Sequence, residues 1–144
     1  MLTESENEAW RALVFATHSL EEALDRQSRR DGGIPHSHYK LLVVLYEAGE
    51  AGTPMSALAA QLTYSPSRLA HALASLERSG WATRERSPSD RRVQVARITT
   101  DGRSVVRAVT PGQIRDVRMP VLEGLSAEDL ETLVRISRHI IAST

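Results

Sequence analysis

Two proline-led helix starts, Thr53-Pro54 and Ser65-Pro66, stand close together in the chain, and they constrain the fold more than any other feature. Proline at the first helical position sacrifices no needed donor, and a serine before it caps free N–H groups. The first start opens a short helix, Met55 to Leu62, with Leu58, Ala59 and Leu62 facing inward. Thr63-Tyr64 is a brief turn. The second start opens a helix running to about Ser79, with Gly80 placed as its stop. Leu69, Ala72, Leu73 and Leu76 form its apolar stripe, while Ser67, Arg68, His71, Ser75 and Arg78 share the other face. Two segments follow, Trp81 to Arg86 and Val93 to Thr99, joined by the turn-rich Ser87-Pro88-Ser89-Asp90-Arg91-Arg92. Val93, Val95 and Ile98 favour strand, so a hairpin is expected despite imperfect alternation. Two short helices, a tight turn and a hairpin make a winged helix-turn-helix.

The flanks read as helices. Residues 5–30 place Trp10, Leu13, Val14, Thr17, Leu20 and Leu24 at three- and four-residue spacing, and Asp31-Gly32-Gly33-Ile34-Pro35 stops the run. A helix from about Ser37 to Ala48 carries LLVVLY, which has no polar face and should be central and buried. Thr99 and Asp101 cap a helix that Pro111 should break, giving pieces at roughly 101–109 and 111–123, with Thr110 and Gln113 at capping-box spacing. Pro120 makes the second piece irregular. Ser126 and Asp129 cap a last helix to about Ala142, with Leu130, Leu133, Val134, Ile140 and Ile141 on one side. The fold class is mainly α with a small β-hairpin wing. Its divisions are an N-terminal helix at 1–34, the winged unit at 35–100 and C-terminal helices at 101–144.

Composition narrows the chemistry. The 144 residues contain no cysteine, which excludes disulfides, thiolate metal sites, cysteine nucleophiles and thiol-oxidation sensing. The longest apolar run, Leu41 to Tyr46, is too short to span a bilayer, and the start TESENE does not read as a signal peptide, so a cytoplasmic protein without membrane attachment is expected. Eighteen basic and eighteen acidic residues cancel to a net charge of zero. The zero is local compensation. Residues 68–107 hold nine arginines against four acids, a net +5, whereas residues 1–67 carry −4 and 108–144 carry −1. Seventeen of the eighteen basic residues are arginine, whose planar fork suits phosphates and guanine edges.

A helix that enters a major groove must present small and polar groups, and Ser65, Ser67, Arg68, His71 and Ser75 meet that demand. Arg68 and His71 are long enough to reach bases or phosphates, and the helix N-terminus aims free N–H groups at a phosphate. The hairpin tip offers arginines of the kind that enter a narrow minor groove. Each residue also has a plainer reading: Ser65 as a cap only, His71 as an idle surface side chain. Basic charge on helix and hairpin together favours DNA.

The stretch Asp90-Arg91-Arg92, followed by Ile98-Thr99-Thr100-Asp101-Gly102, resembles the D-x-R and L-T-x-x-G signature of MarR-type (multiple antibiotic resistance regulator) transcription factors. Leu58-Ala59 and the lead-in LASLERSGWATRERSPSDRR are similar as well, and the order of elements matches over nearly the whole chain. The resemblance implies that residues 55–62 and 65–79 are the helix-turn-helix, with the second helix in the major groove. It implies that Asp90 braces the wing, that Arg92 enters the minor groove, and that Arg84 and Arg86 flank the wing near the DNA backbone. Arg91, at a variable position, would contact a phosphate. It implies a homodimer through intertwined terminal helices, which would cover the apolar stripes of residues 10–24 and 130–141. An ordinary intrachain core is the other reading of those stripes, and both can hold. Pro111-Gly112 and Pro120 depart from the more continuous dimerisation helix of many relatives, which bears on dimer geometry. Such regulators respond to small, often phenolic, ligands, for which Trp10, His18, His38 and Tyr39 are the candidate contacts by position.

The expected function is a homodimeric, sequence-specific regulator, a repressor on a pseudo-palindromic operator, released by a small aromatic ligand. No cofactor is expected. His36-x-His38 at a helix start does not converge on a metal without further ligands. Two rivals differ in class. A winged-helix protein-interaction module would need an apolar wing or recognition helix, where this chain has Arg, Ser and His. A small enzyme would need a catalytic motif, and G-x-S-x-G, G-x-G-x-x-G, a phosphate-binding loop and H-E-x-x-H are all absent.

Overall fold

The computed structural model describes residues 1–144. Its elements run α1 (Glu4–Gly32), α2 (His36–Ala48), β1 (Thr53–Pro54), α3 (Met55–Leu62), α4 (Pro66–Arg78), β2 (Ala82–Arg86), β3 (Gln94–Ile98), α5 (Thr100–Gln113), α6 (Met119–Leu122) and α7 (Ala127–Ser143). A single 3-10 turn, Gly49–Ala51, follows α2, and a π turn, Ile114–Arg118, joins α5 to α6. No helix is long and apolar enough to cross a membrane.

Helix α2 is the centre of the core. Leu41, Leu42 and Leu45 are wholly buried among α1, α3, α4, α5 and β3, because LLVVLY offers apolar groups in every direction. Each such leucine contributes about 2 kcal/mol through burial. Leu58 of α3 and the expected stripe of α4 (Leu69, Ala72, Leu73, Leu76) complete one side, and Val106 and Val109 of α5 close the other. Gly33 ends α1 in the left-handed conformation at φ 63°, where a Cβ would be strained.

The wing is a three-stranded antiparallel sheet in the order β1-β3-β2. The expected hairpin is present, with Arg84 opposite Ala96. Strand β1 was not expected: Thr53 and Pro54 lie opposite Ala96 and Val95 before α3 begins. Proline is tolerated there because β1 is an edge strand. The Thr99–Gly102 motif has a packing reason. Thr99 caps α5 through the Gly102 N–H and donates its hydroxyl to the Gly80 carbonyl at 2.7 Å. A Cβ on Gly102 would collide with the Trp81 carbonyl, so only glycine lets α5 start this close to the sheet.

One expectation fails. Helix α5 does not break at Pro111 but runs through it to Gln113. The proline and Arg107, whose carbonyl loses its partner, are both exposed, so water can pair that carbonyl. On the opposite side Val106, Val109 and Gly112 stay packed, and the Gln27 amide donates to the Val109 carbonyl at 2.9 Å. Packing against α1 outweighs the one lost bond. Thr110 forms no capping box. Its hydroxyl bonds the Val106 carbonyl at 2.7 Å and the Tyr39 hydroxyl at 2.9 Å. The irregularity comes later, at the π turn, where the widened backbone precedes Pro120 and buries Val117.

The ends of the chain are different in kind. Before its buried end, α1 exposes Trp10, Val14, Phe15 and Leu20, and α7 buries no residue although Leu130, Leu133, Val134 and Ile136 line one side.

Candidate nucleic-acid interface

Helix α4 stands on its apolar stripe and turns Ser65, Ser67, Arg68 and His71 to solvent, with Ser75 half-buried at the edge. Ser65 is the N-cap: its Oγ accepts the Arg68 N–H at 3.2 Å. Pro66 has no N–H to satisfy, so the first turn still leaves a donor at Ser67 for an incoming anion. A depression of about 400 Å³ between α4 and the start of α2 is lined by His38, Tyr64, Ser67, Arg68 and His71, among others. Burial first, then the nearby His71, Arg29 and Arg78, hold the His38 imidazole below its usual pKa.

Tyr64, read from sequence only as part of a turn, is a buried member of the core at 7% exposure. Its hydroxyl donates to the Ser37 carbonyl at 2.8 Å, and the Arg68 guanidinium lies over its ring at 4.0 Å from the centroid. The preceding residue, Thr63, is the one non-glycine residue with positive φ, at 53°. The spacing from Tyr64 to Arg68 was the available signal. Tyr64 lies outside the helix, so helical periodicity does not pick it out.

At the wing tip, Asp90 closes the turn. Its carboxylate accepts the Arg92 backbone N–H at 3.0 Å and Nε at 3.2 Å, and its carbonyl accepts the Val93 N–H at 2.9 Å. The Arg92 bonds hold the Asp90 carboxyl below the usual carboxylate range. The Arg92 side chain is 92% exposed, so this ion pair is weak and the guanidinium can be re-aimed. Arg86 donates from Nη1 to the Arg91 carbonyl at 3.0 Å, and Arg91 itself is exposed. Arg84 is placed differently: three-quarters buried, it pairs with Glu77 of α4 at 3.3 Å and ties wing to helix. A second depression, about 370 Å³, separates Arg86 and Arg92 from Met55 and Ser56 at the start of α3. Arg97, not singled out from sequence, pairs with Glu85 at 3.6 Å and bonds the Glu50 carbonyl.

The four candidate ligand contacts occupy four different settings. Trp10 is exposed on α1, His18 is exposed beside Glu22, His38 lies in the α2–α4 depression, and Tyr39 is buried with its hydroxyl on Thr110. Burial raises the Tyr39 pKa. The structure does not gather these residues within one chain. No group of three or more His, Cys, Asp or Glu side chains lies close enough to hold a metal ion.

The fold is shared with known proteins. Residues 34–94 match the sequence model of the MarR family. Over 99% of its length the chain is similar to Sco3205, a MarR family transcriptional regulator from Streptomyces coelicolor solved in complex with DNA, at 40% identity and a TM-score of 0.94, covering 90% of that chain. AbsC, a MarR family transcriptional regulator from the same organism, is 30% identical, with a TM-score of 0.86 and coverage of 99% of this chain and 98% of that one. YdgJ of Bacillus subtilis (strain 168), an uncharacterized HTH-type transcriptional regulator, is 29% identical over 104 residues. That match takes in 72% of this chain and spans 62% of the length of YdgJ.

Proposed function

The chain belongs to the MarR family, whose members are transcription regulators and not enzymes, and from that premise we propose that it is a homodimeric, sequence-specific DNA-binding repressor. The observation that carries the reading is the shared exposure of Arg68 and His71 on α4 and of Arg91 and Arg92 on the wing tip, within a segment of net +5. Helix α4 would lie in the major groove with Ser65, Ser67, Arg68, His71 and Ser75 toward the DNA. Arg92 would leave Asp90 for the minor groove, Arg86 and Arg91 would meet phosphates, and Arg84 would hold the wing against α4. Residues 35–100 are the DNA-binding division in this proposal, and residues 1–34 and 101–144 supply the dimer. Exposed apolar side chains on α1, α6 and α7 support that pairing. Two-fold symmetry then implies half-sites about 10 bp apart, centre to centre. Such a regulator works in the cytoplasm.

A gel shift with DNA from upstream of the protein's own coding sequence tests the reading. Binding should fall steeply with salt, because phosphate contacts release counterions. Arg92→Ala should weaken binding with little change in thermal stability, and unchanged affinity removes the wing from the interface. The proposal includes release by a small aromatic ligand. A footprint unaltered by a panel of phenolic compounds removes that part.

A further inference from the structure

We propose that Tyr64 is the positioning residue for Arg68: it sets the guanidinium in place before DNA arrives and thereby determines sequence preference. The proposal rests on the DNA-binding reading and concerns how that same surface discriminates. An exposed arginine on a free helix samples many rotamers, and fixing it on binding costs conformational entropy. Here that freedom is already restricted. The Tyr64 ring is buried, its hydroxyl is tied to the Ser37 carbonyl of α2, and its face carries the Arg68 guanidinium. The anchor is doubly fixed, because the Tyr64 N–H also donates to the Ala59 carbonyl at 3.0 Å, closing α3. The left-handed Thr63 directs the chain so that Tyr64 enters the core instead of following the turn outward.

What remains of Arg68 is uncommitted. Its backbone N–H is used by Ser65, but its guanidinium donors have no carboxylate or carbonyl partner in the chain. One face is covered by the ring and the edges are open. That is the form in which an arginine makes two parallel bonds to one acceptor pair, such as a guanine edge. Arg86 and Arg92 each spend donors on the wing itself, and Arg84 on Glu77. Arg68 is thus the arginine of this surface whose free donors and fixed plane coincide.

Two measurements test the proposal on the full-length protein. In the free protein, NMR should show the Arg68 side-chain protons shifted upfield by the Tyr64 ring, and Tyr64→Leu should abolish that shift. Random-coil shifts in the wild type overturn the positioning. The second measurement selects binding sites from a duplex pool with a randomised central segment, for wild type, Tyr64→Phe, Tyr64→Leu, Arg68→Ala and the Tyr64→Leu/Arg68→Ala double variant. Tyr64→Phe keeps the ring and should keep the wild-type preference. Tyr64→Leu should lose about tenfold discrimination at the base facing Arg68, and should change nothing further once Arg68 is alanine. An equal loss with and without Arg68, or loss of preference in Tyr64→Phe, makes Tyr64 a fold residue only and overturns the inference. Should Tyr64→Leu fail to fold, the NMR shift and the Tyr64→Phe selection still decide. A wild type that selects no sequence at all refutes the DNA reading instead.

Discussion

The winged lobe and the terminal helices are built from equally apolar sequence, yet only the lobe closes its own core. From Ile34 to Val109 nearly every large apolar side chain finds partners in the same chain. On α7, with Leu130, Leu133, Val134, Ile136 and Ile141 on its surface, not one residue is buried. Hydrophobic periodicity alone therefore does not separate a core stripe from an unpartnered one. What separates them is whether short connections bring the stripe back onto a neighbour. The turns at Thr63 and Gly80 do so for α4, whereas the π turn and the short α6 carry α7 away from the lobe.

The largest test of that difference is Leu133→Asp. If a second copy covers α7, the charge falls inside an apolar interface, and sedimentation should show the dimer lost altogether at micromolar protein. An unchanged mass would mean that the stripe has no partner copy. The lobe should respond in the opposite manner. Leu42→Ala, at a wholly buried position, should cost about 2–5 kcal/mol whatever the protein concentration. Chemical denaturation of both variants across a range of concentrations draws the line between the regions. A concentration-dependent loss for Leu42→Ala would erase it.

The lobe was legible in the sequence because its signals are local. Ser65-Pro66, Gly80 and Asp90-Arg91-Arg92 act over a few residues each, and each is found doing what its chemistry demands. Strand β1 was not legible, since two residues carry no period. The break at Pro111 was wrongly expected, because the proline's cost is local while Gln27 and Asp31, which pack against that turn, are eighty residues away in sequence. The site was half legible. Residue type pointed to Arg68 and Arg92, but the burial of Tyr64 beneath Arg68, and the turning of Arg84 to Glu77, exist only in three dimensions. Within one chain Trp10, His18, His38 and Tyr39 lie in separate settings, which helical spacing does not reveal.

A smaller effect sharpens the comparison through pH. Burial holds the His36 imidazole below its usual value of 6.5, and its Nδ1 has no hydrogen-bond partner. The unfolded chain takes up this proton more readily than the folded one, so stability is complete above pH 6.5 and declines as pH falls below it. Melting of the lobe should therefore drop between pH 7.5 and 5.5, and His36→Gln should reduce that drop without abolishing it, because burial holds His38 of the same lobe below its usual value too. Identical slopes for wild type and His36→Gln would show that burial of this ring has no part in acid sensitivity.

The smallest expected effect lies inside the lobe, at Thr63. A β-branched residue at φ 53° carries a steric cost on the order of 1 kcal/mol that glycine does not. Glycine gives part of that back through the greater entropy of the unfolded chain. Thr63→Gly should therefore stabilise by about 0.5 kcal/mol or less, measured as a small rise in denaturation midpoint. A loss of stability would show that the Thr63 hydroxyl, bonded to the Leu62 carbonyl at 2.7 Å, outweighs the strain. DNA binding adds a sharper reading of the same variant. The Tyr64 ring is held by its own bonds to Ser37 and Ala59, so a freer residue 63 should leave the ring, and with it the preference set by Arg68, where they are. If preference weakens while stability rises, the strain at Thr63 is itself what presses Tyr64 beneath Arg68.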